Sequence, residues 1–231
     1  MGQNTEQEKP HVNVMICTPG HSMTADYVKS LLATAAMLNE KKITWGFSNG
    51  YSSHVADARE VTASGTMANS LTESRPFQGN CTYDKLMWID SDIVWAPADV
   101  LALYESDKDI ISGGYILSHG DVAAYPVEGK SGFTMDEVKR FDEPLKIAGC
   151  GFGFVAVKSG VFESLSRPWF QSAMTEAKVD GKLIQYAIMG EDLSWCKRVQ
   201  DNGYEIWFDP KVKVTHQKTV KLTWEGIMPN V

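Results

Sequence analysis

Two aspartates follow a short apolar run, in the sequence Trp88-Ile89-Asp90-Ser91-Asp92-Ile93. In an extended backbone, side chains two positions apart leave the same face, so we expect the carboxylates of Asp90 and Asp92 to lie close together. Carboxylates that are held near each other repel, and a bound cation relieves that repulsion. Such oxygen ligands suit Mg²⁺ or Mn²⁺. The alternative is an Asp-rich turn in which Asp92 caps the following helix.

A second acidic pair, Glu191-Asp192, follows Gly190 and precedes a predicted helix at residues 193–199. A carboxylate in this position could accept a proton from a substrate. Asp192 could equally be the N-cap of the helix, because aspartate is favoured there.

Two further places in the chain, at His216 and at Arg59, have side chains suited to a cation or to a phosphate. His216 ends a predicted strand and is followed by Gln217 and Lys218, which are donors suited to phosphate. A single histidine is more often structural than a ligand. Arg59 lies on a predicted helix, where it could form a surface ion pair or bind a nucleotide.

Glycines stand at every second position of the sequence Gly149-Cys150-Gly151-Phe152-Gly153-Phe154. If this segment is a strand, one of its faces has no side chains, which allows close approach of a ligand or of another backbone. The sequence GxxxxGK[ST] does not occur, so this is not a P-loop.

The elements that would position these residues alternate between strand and helix in the first half of the chain. Apolar patterns predict strands at residues 12–17, 43–47 and 85–89, with helices at residues 27–38 and 55 to about 71. This alternation favours an α/β fold with a parallel sheet. In the second half, the sequence predicts strands at residues 110–115, 147–157, 205–208 and 212–216, a short helix at 159–165 with Ser159 as its N-cap, and the helix at 193–199.

The composition is that of an ordinary globular domain. The chain has 231 residues, 43% of them hydrophobic, and a formal net charge of −7. An acidic chain does not coat nucleic acid through its overall field, so we expect no nucleic-acid partner. There is no run of 18 apolar residues, no signal-peptide pattern and no CxxC pair. We therefore expect a cytoplasmic protein without a transmembrane segment.

Taken together and in this order, these motifs resemble those of the small GT-A glycosyltransferases, similar to the family 2-like enzymes of bacteria and phages. The resemblance covers about residues 12–218, and the segment 190–216 is the closest match. It is carried by Thr18-Pro19, Asp57-Ala58-Arg59, the DXD motif Asp90-Ser91-Asp92, the glycine segment, Gly190-Glu191-Asp192 and His216. It implies a Rossmann-like GT-A fold, with a mostly parallel central sheet flanked by helices and a smaller mixed sheet in the C-terminal half.

The resemblance also implies roles for individual residues. The residues expected to bind the donor are Thr18, Pro19, Gly20, Arg59, Asp90, Ser91, Asp92, Gly151 and Lys218. Asp92 and His216 would bind Mn²⁺ or Mg²⁺ directly, and Asp90 would contact the ion, its water or the ribose. Glu191 and Asp192 are the expected catalytic pair, and Asp192 is the general base if the anomeric centre is inverted.

The function that this implies is metal-dependent transfer of a hexose, expected to be glucose, from a UDP-sugar to a hydroxyl acceptor, with hydrolysis of the donor when the acceptor is absent. We expect one domain, with a flexible tail at residues 1–10, a nucleotide-binding half at 11–105 and an acceptor or catalytic half at 106–231. Only 15 residues follow His216, so a lid must be small, and Trp224 is a candidate for it. The alternatives are a sugar-1-phosphate nucleotidyltransferase and a carbohydrate-binding module that uses the seven tryptophans.

Overall fold

The structure is a computed structural model that describes residues 9–65, 74–127, 132–179, 181–224 and 226–229. Most of the predicted N-terminal tail therefore lies outside the described residues. The helices are α1 (Ala25–Glu40), α2 (Val55–Ser64), α3 (Pro97–Glu105), α4 (Met135–Val138) and α5 (Glu191–Asp201). The strands are β1 (His11–Pro19), β2 (Trp45–Gly50), β3 (Thr82–Ile89), β4 (Ile93–Val94), β5 (Ile110–Gly114), β6 (Ala124–Tyr125), β7 (Leu145–Ile147), β8 (Gly149–Cys150), β9 (Phe154–Lys158), β10 (Ala173–Val179), β11 (Lys182–Met189), β12 (Ile206–Lys213), β13 (Thr215–His216), β14 (Val220–Thr223) and β15 (Gly226–Pro229).

A seven-stranded sheet forms the centre of the molecule, in the order β2-β1-β3-β9-β5-β12-β7. Strands β2, β1, β3, β5 and β12 run in one direction, and β9 and β7 run in the other. The predicted α/β fold with a mostly parallel central sheet is therefore confirmed. Because β1, β3 and β5 share a direction, their carboxyl ends meet at one edge of the sheet, where α/β folds place their ligands.

The sheet is buried on both faces because its central strands are apolar at nearly every position. In β3, Leu86 and Trp88 pack into one hydrophobic cluster, whereas Met87 and Ile89 pack into the other. This alternation follows from the two-residue period of a strand. Six aromatic residues on the first side form one contiguous group, in which the ring centroids of Phe152 and Trp195 lie 4.7 Å apart: Trp88, Phe152, Phe162, Trp169, Phe170 and Trp195.

Local hydrogen bonds set the start of α1 and the end of α2. The Thr24 hydroxyl accepts a hydrogen bond from the backbone N–H of Tyr27 at 3.1 Å and caps α1. Helix α2 ends earlier than predicted, because Gly65 adopts a left-handed conformation (φ +73°) and donates its N–H to Val61. Residues 66–71 of the predicted helix lie in a segment outside the described residues.

Several predictions for the second half are corrected by the structure. The predicted strand at residues 147–157 is divided into the end of β7, β8 and β9, with a turn at residues 152–153. The side chain of Tyr115 packs against Gly151 and Gly153 at this break, where only glycine leaves room for it. The predicted helix at residues 159–165 is only a 3₁₀ turn at Phe162–Ser164, and Ser159 does not cap it. In place of one smaller mixed sheet, the described residues form four separate two-stranded antiparallel sheets.

No helix within the described residues combines the length and the apolar character that are needed to cross a lipid bilayer.

Candidate active site

A cleft of about 460 Å³ opens at the carboxyl edge of the central sheet. Residues from both halves of the chain line it, since it lies where β1, β2, β3 and β5 end. The lining residues are Pro19, Gly20, His21, Tyr51, Ser52, Ser53, Val55, Ala58, Arg59, Asp90, Ser91, Asp92, Tyr115, Leu117, Asp192, His216 and Lys218. Most of the residues predicted to do chemistry therefore lie around one opening.

The two aspartates of the DXD motif lie in a tight turn rather than in an extended strand. Strand β3 ends at Ile89, and the N–H of Ile93 donates to the carbonyl of Asp90 at 3.0 Å. The two carboxylates therefore reach different partners. Asp92 does not cap the next helix, because the N-cap of α3 is Ala96, whose N–H donates to Asp99 Oδ2 at 2.8 Å.

His216 lies beside Asp92 because β13 pairs with β4 and places His216 opposite Ile93. The Nε2 atom of His216 is 3.2 Å from Asp92 Oδ2, and its Nδ1 atom is 2.9 Å from the Ile116 carbonyl oxygen. Lys218 Nζ donates to the same Asp92 oxygen at 2.9 Å. Burial tends to raise the pKa of Asp92, but the hydrogen bonds from His216 and Lys218 outweigh it and lower that pKa. The hydrogen bond to Asp92 raises the pKa of His216, although burial opposes this.

The side chains of Asp92 and His216 are of types that could hold a divalent cation between them. Nδ1 of His216 can donate only to the Ile116 carbonyl, so a neutral imidazole would direct the lone pair of Nε2 at the Asp92 carboxylate. That arrangement needs a proton or a cation between the two groups. Metal-binding histidines commonly donate their second ring N–H to a backbone carbonyl in this way. Among the described residues, however, there is no cluster of three or more His, Cys, Asp or Glu side chains suited to a metal.

Asp90 is bound to Arg59, which is buried. Arg59 Nη2 lies 3.4 Å from both carboxylate oxygens of Asp90, and Nη1 donates to Glu191 Oε1. The Arg59 side chain is only 4% exposed, and its guanidinium carbon lies 5.5 Å from the centroid of the Phe152 ring. Of the two alternatives that the sequence left open, a surface ion pair is therefore excluded. Burial lowers the pKa of Arg59, but Asp90, Asp192 and Glu191 outweigh this and raise it, so the guanidinium stays charged.

Asp192 faces the cleft and is not the N-cap of its helix. Helix α5 begins at Glu191 and has Gly190 as its N-cap, so Asp192 is the second helical residue. Its Oδ1 atom accepts the N–H of Leu193 at 2.8 Å. Burial raises the pKa of Asp192, while the charge of Arg59 opposes the rise. A carboxylate with a raised pKa is a stronger base than an ordinary aspartate.

Three of the predicted site residues do not line the cleft. Thr18 is fully buried, and its hydroxyl is hydrogen bonded to the hydroxyl of Tyr27. Gly151 is buried beneath Tyr115, so the close approach that its missing side chain permits is made by a tyrosine ring. Glu191 is bound to Arg59 and is 14% exposed.

Several lining residues carried no recognisable signal in the sequence. Tyr51 is 56% exposed at the cleft, and its ring lies edge-on to that of His21, with centroids 4.8 Å apart. Asn49-Gly50, which the sequence offered as the end of the second strand, does close β2, but it does not identify Tyr51. Gly20 has φ +143°, and a Cβ at this position would lie 2.8 Å from Ser91 Oγ. The loops after β1 and β3 therefore approach each other closely.

One of two comparisons with solved structures supports the fold. A197 from STIV is similar in structure, with a TM-score of 0.56 and 17% sequence identity over 95% of this chain and 94% of that one. A second match is GalNAc-T7 in a structure with UDP, GalNAc and Mn²⁺, with a TM-score of 0.44 and 11% identity over 91% of this chain and 44% of that one. No protein-family model and no curated protein sequence matches the chain. The first similarity shows that the fold is shared, and it does not by itself assign an activity.

Proposed function

We propose that the chain is a metal-dependent glycosyltransferase that transfers a hexose from a UDP-sugar, glucose being the first to test, to a hydroxyl-bearing acceptor. The observation that supports this most directly is the joint arrangement of Asp92, His216 and Lys218 at one side of a cleft that Asp192 also lines. A cation site and an ammonium group suit a diphosphate, and a nearby carboxylate suits the deprotonation of an alcohol.

Each part of this chain has a distinct role in the proposed reaction. The nucleotide half, residues 11–105, would bind UDP, with Pro19, Gly20 and Ser91 against the nucleotide and the exposed Tyr51 ring against the base. The Lys218 ammonium would stabilise negative charge on the departing diphosphate. A Mn²⁺ or Mg²⁺ ion on Asp92 and His216 would add further positive charge there.

Asp192 would take the proton of the acceptor hydroxyl as that oxygen attacks the anomeric carbon. The pKa of Asp192 is raised by burial, which suits a base. A carboxylate in this role contributes about 10²–10⁴-fold to the rate. With water in place of the acceptor, the same base would hydrolyse the donor slowly.

The alternatives have less support. The predicted role of tryptophans in a carbohydrate-binding module fails for four of the seven, because Trp88, Trp95, Trp169 and Trp195 are buried in the core. A sugar-1-phosphate nucleotidyltransferase would need a loop rich in glycine and lysine after β1, whereas this chain has Thr18-Pro19-Gly20-His21.

The test is the release of UDP from a panel of UDP-sugars in the presence of Mn²⁺, with and without a chelator. We expect release with at least one sugar, and loss of release when the chelator is added. Asp92→Ala should abolish the metal-dependent part of UDP affinity in calorimetry. Asp136→Asn is a matched control, because Asp136 is an exposed acid outside the cleft lining that pairs with Lys139. No release from any sugar, or unchanged UDP affinity in Asp92→Ala, would contradict the proposal.

A further inference from the structure

Both terminal nitrogens of the Arg59 guanidinium donate hydrogen bonds to carboxylates of the protein itself. Nη1 binds Glu191 and Nη2 binds Asp90, while Phe152 covers the guanidinium at 5.5 Å. The side chain is 4% exposed, and among the described residues its Nε has no hydrogen-bond partner. One positive charge thus stands between two negative charges. Arg59, Asp90 and Glu191 together therefore carry a net negative charge, which does not attract a diphosphate.

The two carboxylates that Arg59 joins come from the two sides of the cleft. Asp90 begins the turn that carries Asp92, the residue bound to His216 and Lys218. Glu191 is the first residue of α5 and precedes Asp192 in the chain. The N-cap of α5, Gly190, supplies no side-chain hydrogen bond, so the Arg59–Glu191 pair holds a helix end that lacks a side-chain cap.

We infer that Arg59 is a positioning residue that fixes Asp192 relative to the turn at Asp92, and that it does not contact the nucleotide. This inference rests on the proposed function. A buried arginine that binds two carboxylates has a defined geometry, because its planar fork sets the direction of each hydrogen bond. A lysine keeps the charge but offers only one nitrogen, so it cannot hold both carboxylates in the same way.

The next residue in the chain provides a matched control. Glu60 accepts hydrogen bonds from Arg167 Nε at 2.7 Å and from the backbone N–H of Trp169 at 2.9 Å. The Glu60–Arg167 pair is about as buried as the Arg59–Glu191 pair, at 13% and 5% exposed, and neither of its residues lines the cleft. Glu60→Gln therefore weakens a buried ion pair that begins on the same helix as Arg59, without removing either partner of the link between Asp90 and Glu191.

The experiment compares Arg59→Lys, Glu191→Gln, the double variant and Glu60→Gln. We expect Arg59→Lys to lower kcat by about 10²-fold, since displacing a reacting group by about 1 Å costs that much, while UDP affinity changes less than about threefold. Glu191→Gln should give a similar loss. The double variant should lose little more than either single variant, because both single variants break the same Arg59–Glu191 link. Glu60→Gln should lower stability and leave kcat within about twofold of the wild type, because the hydrogen bonds of Glu60 are to Arg167, Trp169 and Phe170 and involve neither Asp90 nor Glu191.

A second measurement does not depend on activity. The Ser194 amide donates to the Gly190 carbonyl at 2.9 Å and closes the first turn of α5, so its hydrogen exchange should be faster in Arg59→Lys and in Glu191→Gln, and unchanged in Glu60→Gln. Unchanged exchange in the first two variants would overturn the inference even if no UDP-sugar is turned over by the wild type. If the wild type is active and Arg59→Lys loses UDP affinity at least tenfold with kcat unchanged, Arg59 binds the nucleotide and the inference is wrong.

Discussion

Gly151→Ala tests the contact between the glycine segment and Tyr115. A Cβ at position 151 would lie 2.1 Å from the Tyr115 hydroxyl oxygen and 3.2 Å from the Cζ atom of the ring. Tyr115 is only 6% exposed, and its hydroxyl accepts the backbone N–H of Gly153 at 3.2 Å. The ring cannot give way easily, because it is packed in the core and lies edge-on to His216 at 5.2 Å.

The expected loss of stability has two parts. Adding a methyl group to a packed interior costs about 1–3 kcal/mol. Moving the Tyr115 hydroxyl also breaks its buried hydrogen bond with Gly153, which adds about 1 kcal/mol. The free energy of unfolding should therefore fall by about 2–4 kcal/mol, and for a chain of this length the melting temperature should fall by roughly 5–15 °C.

The rescue variant makes this prediction specific. Tyr115→Phe removes the oxygen that lies 2.1 Å away, and the nearest remaining ring atom is then 3.2 Å from the added Cβ. In that background Gly151→Ala should cost less than about 1 kcal/mol, because the residual contact is mild. Gly153→Ala is the matched control, since its Cβ would lie 2.6 Å from Cζ, an atom that phenylalanine retains.

The assay is equilibrium unfolding in urea, followed by tryptophan fluorescence, for the single variants and for the two double variants. The reasoning is refuted if Gly151→Ala is neutral, or if Tyr115→Phe relieves Gly153→Ala as much as it relieves Gly151→Ala.

Three further predictions concern the base, the aromatic ring at the cleft and a buried lysine. Asp192→Asn should lower kcat by about 10²–10⁴-fold with little change in UDP affinity, and it should remove the acid limb of the pH–rate profile. In the wild type that limb should lie above the pKa of an ordinary aspartate, because burial raises the pKa of Asp192 and the base is lost as the pH falls through it. Tyr51→Ala should raise the KM for the UDP-sugar about three- to tenfold with kcat nearly unchanged, as expected for the loss of one aromatic contact; an unchanged KM would contradict the stacking role. Burial lowers the pKa of Lys85 to about 8, so above that pH the unfolded chain binds more protons than the folded one. The free energy of unfolding should therefore rise between about pH 8 and 10. Urea unfolding at these two pH values should show no such rise for Lys85→Met.

Elements with a strong local pattern were predictable from the sequence. Strands β1 and β3 and helix α1 were all expected from their apolar spacing, and their observed bounds differ from the predicted ones by a few residues at most. The hairpin of β10 and β11 was not expected. It forms a separate two-stranded sheet instead of joining the central one, and its exposed Met174 and Ile188 give no alternation between a buried and a solvated face.

The types of residue at the candidate site were visible in the sequence, but their partners were not. His216 and Asp92 are 124 positions apart, and they meet only because a two-residue strand after β12 pairs with a two-residue strand after β3. Pairing of such short strands leaves no periodic pattern in a sequence. Arg59 is flanked by acidic residues on α2, which is typical of a solvated helix face, so its burial depends on tertiary contacts with α5 and with the turn after β3.

The two aspartates of the DXD motif illustrate how the fold separates residues that look equivalent in the sequence. The turn at residues 90–93 directs one carboxylate to a buried arginine and the other to an imidazole and an ammonium group. The carboxylate of Asp90 is thereby paired with a guanidinium that Glu191 shares, whereas the carboxylate of Asp92 is paired with His216 and Lys218. A cation entering from the cleft would therefore meet Asp92 as its main acidic ligand, and the contribution of Asp90 would pass through Arg59 to the helix that carries Asp192. One short motif would in this way serve both the diphosphate side and the acceptor side of the proposed reaction.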